Sequence, residues 1–97
     1  MITMIVTYAG DDDRPFNRDH WINVHFPILR RCWGPYGLIS VASYFPPADG
    51  AGIIATVAFR DEEAMHAALM SPEAERVIAD GCLVTSVQPE RRLARSL

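Results

Sequence analysis

The chain has 97 residues, 49% of them hydrophobic and 22% charged, with a formal net charge of −3. That is ordinary globular composition for one small domain, and it excludes a disordered chain. The acidic balance offers no basic field for phosphates, so no nucleic acid partner is expected.

The chain begins with an alternating run. Ile2, Met4, Val6 and Tyr8 point one way, and Thr3, Ile5 and Thr7 the other, which is the period of a strand. Gly10 and the aspartates 11–13 end it, and one of these acids can cap the helix that follows. The aspartates also come too early for an apolar export core. No run approaches the roughly 20 apolar residues that span a bilayer. A cytoplasmic protein with no membrane partner is expected. Cys32 and Cys82 form no CxxC and no metal-ligand spacing, and they read as free buried thiols.

The spacing predicts a helix over 15–32, with Phe16 at its entry and Trp21, Val24, Ile28 and Cys32 on one face. Pro27 lies inside it. Proline has no N–H, so the carbonyl of Asn23 loses its helical donor, and a bend or a lost bond is expected there. Gly34, Pro35 and Gly37 break the helix. Strands follow at 38–45 and 52–59, joined by the hairpin-type segment 46–50. Asp61 caps a second helix, Ser71-Pro72 restarts it, and Gly81 stops it. Residues 82–88 read as a fourth strand. The domain then spans 1–90, and 91–97 is a polar tail.

The order β-α-β-β-α-β is that of an α+β, ferredoxin-like fold: a four-stranded antiparallel sheet with two helices on one face. Two helices cover only one side of such a sheet. Ile5 opposes Met4 and Val6, Ile54 opposes Ile53 and Val57, and Val84 opposes Leu83 and Val87. A second apolar face this large calls for a partner, and a homodimer with its sheets face to face supplies one.

The stretch from Phe16 through His20-Trp21 to His25-Phe26-Pro27 resembles the first helix of the EthD family, named after ethyl tert-butyl ether degradation. Trp33-Gly34-Pro35-Tyr36-Gly37-Leu38 is similar to that family's link into the second strand. Glu75 to Asp80, Thr85 and Gln88-Pro89 are similar to its second helix and last strand. The resemblance implies a dimeric α+β barrel with a small apolar pocket between sheet and helices in each protomer. It implies an oxidoreductase or monooxygenase-type enzyme, or an accessory protein, acting on a small apolar molecule without a cofactor or metal. The alternative is a non-catalytic binding or carrier module. Tyr8, Trp21, Leu29 and Val84 are the expected ligand contacts. Many relatives carry Asn-Phe where this chain has Leu83-Val84.

His25 is the leading candidate for chemistry. It lies four residues from Trp21 and from Leu29, along the apolar stripe, and a neutral imidazole there can move a proton near pH 7. The plain alternative is a structural histidine bonded to a loop or to the backbone at Pro27. Only the resemblance pairs His25 with Asp80 as catalytic residues. Asp80 next to Gly81 can also simply bond the turn that ends its helix. Tyr8 and Tyr44 can line a pocket or fill the core. His20 and His25 are five apart, roughly 140° around an α-helix, and so should not share a metal as an i,i+4 pair would.

Overall fold

A computed structural model describes residues 1–10, 16–45 and 52–96. The aspartates 11–13 and the connection at 46–50 lie outside them. Strand β1 (Ile2–Tyr8) is followed by a run of helix in three parts: α1 (Arg18–His20), a π-helical turn (Trp21–His25) and α2 (Phe26–Trp33). A short 3-10 turn (Gly34–Tyr36) leads into β2 (Leu38–Tyr44) and then β3 (Ile53–Phe59). Helices α3 (Glu62–Leu69) and α4 (Ala74–Val84) precede β4 (Glu90–Arg95).

The four strands form one sheet in the order β2-β3-β1-β4, and every neighbouring pair is antiparallel. This is the ferredoxin-like α+β arrangement. Alternation in β1 puts Ile2, Met4, Val6 and Tyr8 on the helix side, level with Phe59, Val57, Ala55 and Ile53 of β3. All are buried, and all but Ile53 belong to one core with Leu29, Trp33, Met65, Ala68 and Val77 of the helices. Phe59, with no exposed surface, sits at the centre.

The opposite face carries Ile5, Ile54, Ala42 and Tyr44 among threonines, with Ile5 level with Thr56 and Ile54 level with both Thr7 and Tyr44. Ile54 and Tyr44 are exposed, at 43% and 60%. Strands one and three thus each put one isoleucine on this face, and the fourth strand adds Arg92, level with Ile5, and Glu90, level with Thr7.

Three local readings are corrected. The fourth strand lies at Glu90–Arg95, and residues 82–84 belong to α4. Asp80 is thus inside a helix, four residues from its end, and Gly81 does not stop it. The apolar spacing of Val77 and Val84, seven apart, keeps the helix docked through the glycine. The segment read as a polar tail becomes an edge strand, because its backbone pairs with β1 from Thr7↔Glu90 to Ile2↔Arg95. Its side chains are all exposed, and charge on an edge strand is a recognised guard against further pairing.

The caps and turns follow the sequence in part. Asp61 Oδ1 accepts from the amide of Ala64 at 2.7 Å and caps α3. Ser71 differs: its hydroxyl donates back to the Ala68 carbonyl at 2.6 Å, closing α3 rather than opening α4. Asn17 caps the first helix, its Oδ1 accepting from the amide of His20 at 3.1 Å. Gly37 has φ +97°, the left-handed conformation that reverses the chain into β2. No helix among the described residues is long and apolar enough to cross a membrane.

Candidate functional site

The site begins with Pro27. The α-helical ladder does not run through the turn before it. The amide of Phe26 donates to the Trp21 carbonyl, an i→i+5 bond, and residues 21–25 form the π turn. Proline's missing N–H disfavours α-helical bonding here, and a π turn is one way a helix absorbs that loss. In this geometry residues five apart stand over one another. His20 and His25 therefore fall on the same side, contrary to the 140° separation of a regular helix.

Both histidines reach one carboxylate. His25 Nδ1 lies 2.9 Å from Asp80 Oδ2, and His20 Nε2 lies 3.0 Å from Asp80 Oδ1. An ionised carboxylate only accepts, so each of those ring nitrogens donates an N–H. His25 is then the Nδ1–H tautomer, and its Nε2 carries a lone pair. The ring lies flat against Trp21, with centroids 4.8 Å apart and planes 16° from parallel. Gly81 faces its edge: a Cβ there would sit 3.6 Å from His25 Cε1, an ordinary contact, so α4 runs close beside the imidazole. The Trp21 indole N–H donates to Ser43 Oγ at 3.0 Å and fixes the ring behind His25.

Burial pushes the His25 pKa down, and contact with Asp80 offsets only part of this, so the imidazole stays neutral below its ordinary range. Burial pushes the Asp80 carboxyl up, but the hydrogen bonds from His20 and His25 outweigh it and hold the group ionised. Asp80 is only 8% exposed.

His25 forms part of the wall of a cavity of about 340 Å³ between the sheet and the helices. That volume is at the lower end for small-molecule sites. Tyr8, Trp21 and Leu29 also line it. Val84 does not: it is buried in the core, and its carbonyl accepts from the amide of Asn17 at 2.9 Å. Asp80 stands behind His25 rather than on the wall. Cys82, expected to be buried, is exposed, while Cys32 is buried. Burial raises the Tyr8 pKa despite the opposing charge of Arg91, so its hydroxyl remains protonated. Trp33, also on the wall, has a buried indole N–H with no partner among the described residues. No group of three or more His, Cys, Asp or Glu among the described residues is arranged to hold a metal ion.

Sequence reasoning missed His20 and set it aside. The signal was available in Pro27, two residues beyond His25, because the register of the helix before an internal proline cannot be taken as α-helical.

No family profile and no curated protein matches the sequence. Solved structures do match in fold. An EthD-like protein from Ralstonia eutropha superposes with a TM-score of 0.81 at 15% identity, over 97% of this chain and 89% of that one. An EthD-family protein from Bacillus halodurans gives 0.74 at 17% identity, over 100% and 99% of the two chains. SnoaB, a cofactor-independent oxygenase from Streptomyces nogalater, gives 0.74 at 10% identity, over 99% and 92%. The chain therefore has the fold of EthD-like proteins and of cofactor-independent oxygenases.

Proposed function

We propose that this protein is a cofactor-independent oxidoreductase of the monooxygenase kind. Its substrate is a small, largely apolar molecule with an acidic C–H conjugated to a carbonyl, and His25 is the general base. The observation that carries this reading is the His25–Asp80 contact of 2.9 Å with the imidazole on the wall of an apolar cavity. A neutral, oriented base beside a bound apolar molecule is what proton abstraction from carbon requires. The fold shared with SnoaB supplies the reaction class by analogy.

In this mechanism Asp80 holds Nδ1–H, and Nε2 takes the substrate proton. The resulting carbanion is delocalised onto the carbonyl and gives up its electrons to molecular oxygen. One oxygen atom bonds to the carbon and the other leaves as water, so a CH2 becomes a C=O. Burial of the imidazole keeps it unprotonated and ready for the next substrate.

Exposed Ile54 and Tyr44 on the open face of the sheet support a homodimer with the two sheets packed together. A domain this small gains burial by doing so. A specific contact of this kind buries at least about 1,000 Å² in total.

Anthrone, whose ring CH2 is conjugated to a carbonyl across the ring, is a suitable test compound. Purified protein should accelerate oxygen uptake with anthrone in saturable fashion. His25→Gln should lose roughly 100-fold or more of that rate, the usual contribution of a general base. An unchanged rate in a folded His25→Gln protein would remove His25 from the chemistry. Saturable anthrone binding without oxygen uptake would favour a carrier, the second reading that the apolar cavity supports.

A further inference from the structure

We infer that His20 is a positioning residue: it clamps Asp80 from the side away from the cavity and so fixes the tautomer of the base. The inference rests on the reading of His25 as that base. Each oxygen of Asp80 has one imidazole, with Oδ1 to His20 at 3.0 Å and Oδ2 to His25 at 2.9 Å. His20 does not line the cavity, and its side chain is 22% exposed against 6% for His25. It therefore works on the substrate only through Asp80.

The need for such a clamp follows from the carboxylate's own freedom. The terminal torsion of aspartate is broad and roughly two-fold, with no sharp staggered wells. A carboxylate held at one oxygen can turn about that torsion. His25 Nδ1 then loses its acceptor, and the neutral ring is free to move its proton to Nε2, where it would block proton abstraction. Held at both oxygens, Asp80 presents Oδ2 to His25 in a fixed plane. No other side chain among the described residues hydrogen-bonds Asp80. The clamp depends on the π turn, because only i→i+5 stacking brings His20 and His25 to the same carboxylate. The corresponding sequence feature is His-x4-His ending two residues before a helical proline, here His20, His25 and Pro27.

The test compares His20→Gln with His20→Ala in 15N-labelled protein. Glutamine keeps an N–H donor that reaches Oδ1 and cannot titrate; alanine removes the donor. Imidazole 15N chemical shifts near neutral pH report the His25 tautomer directly. Wild type and His20→Gln should show His25 with Nδ1 protonated and Nε2 bare, and His20→Ala a mixture of the two tautomers. With anthrone, His20→Ala should lower kcat roughly tenfold, the scale of one hydrogen bond to a charged group, with KM within about twofold by the same reasoning that uniform binding is untouched. His20→Gln should restore most of it. If alanine prevents folding, His20→Asn, whose amide is too short to reach Oδ1, takes its place. An unchanged tautomer and kcat in the alanine variant, or equal losses for glutamine and alanine, would overturn the clamp. If wild type consumes no oxygen, the oxygenase reading fails alone, and the tautomer shift still decides the role of His20.

Discussion

Replacing Asp80 by asparagine keeps the shape of the side chain and removes its charge. Asparagine has one accepting oxygen and one donating nitrogen, so it can receive an N–H from only one of the two histidines. The other must change tautomer to accept. Two hydrogen bonds to a charged group, each worth about 1.5–3 kcal/mol, become neutral bonds worth about 0.5–1.5 kcal/mol. The loss is about 2 kcal/mol, or roughly 8–16 °C in Tm for a domain of this size. Circular dichroism melts across pH 3–7 provide the assay. Asp80 is held below its ordinary pKa in the folded state, so its contribution is full above about pH 4 and is lost as pH falls through the depressed value. His25 is depressed as well, so acid costs the wild type further stability from about pH 6.5 downward. The gap between wild type and Asp80→Asn should be full at pH 7, should not shrink down to about pH 4, and should close below that. Equal melting at pH 7, or a gap that persists in strong acid, would refute the charge-assisted clamp as the source of stability.

The same depressed His25 places the acid limb of anthrone-dependent oxygen uptake below about pH 6.5, because the base must be neutral; a limb above pH 7 would contradict the burial argument. Ile54→Asp puts a charge on the open sheet face and should convert a dimer to a monomer in light scattering, with the helix content unchanged by circular dichroism. Gly37→Ala needs a Cβ 2.8 Å from that of Ala64 at φ +97°, and should lower stability by about 1–2 kcal/mol or more, read as a reduced urea midpoint.

Most of the sheet and the helical scaffold was legible in the sequence because the determinants are local. The alternation of Ile2 to Tyr8, the Asp61 cap and the Gly37 turn each act within a few residues. The end of the chain was not legible. Cys82-Leu83-Val84 looks like a strand by composition, yet it extends α4 because Val77 and Val84 share a buried face that only tertiary packing reveals. Glu90-Arg91-Arg92 looks like a solvated tail, yet β1 has an unfilled edge and takes it by backbone pairing, which is blind to side chains. The likeness paired His25 with Asp80, whereas the placement of Asp80 at a helix end was wrong. Its position inside α4 is what lets the carboxylate face the π turn squarely. Leu83 points outward at 69% exposure and is not on the cavity wall.

The position of β4 also bears on how a molecule enters. The strand is held by one neighbour, β1, and is exposed along its length, while Arg91 and the segment from Thr85 to Pro89 that leads into it form part of the cavity wall. This sheet edge is thus also part of the cavity wall. Fraying of a few terminal hydrogen bonds there would expose that wall and leave the core in place, since local openings cost far less than global unfolding. Occupancy should act in reverse as a latch. A molecule bound against Arg91 and Gln88 should slow amide hydrogen exchange in β4 more than in β3.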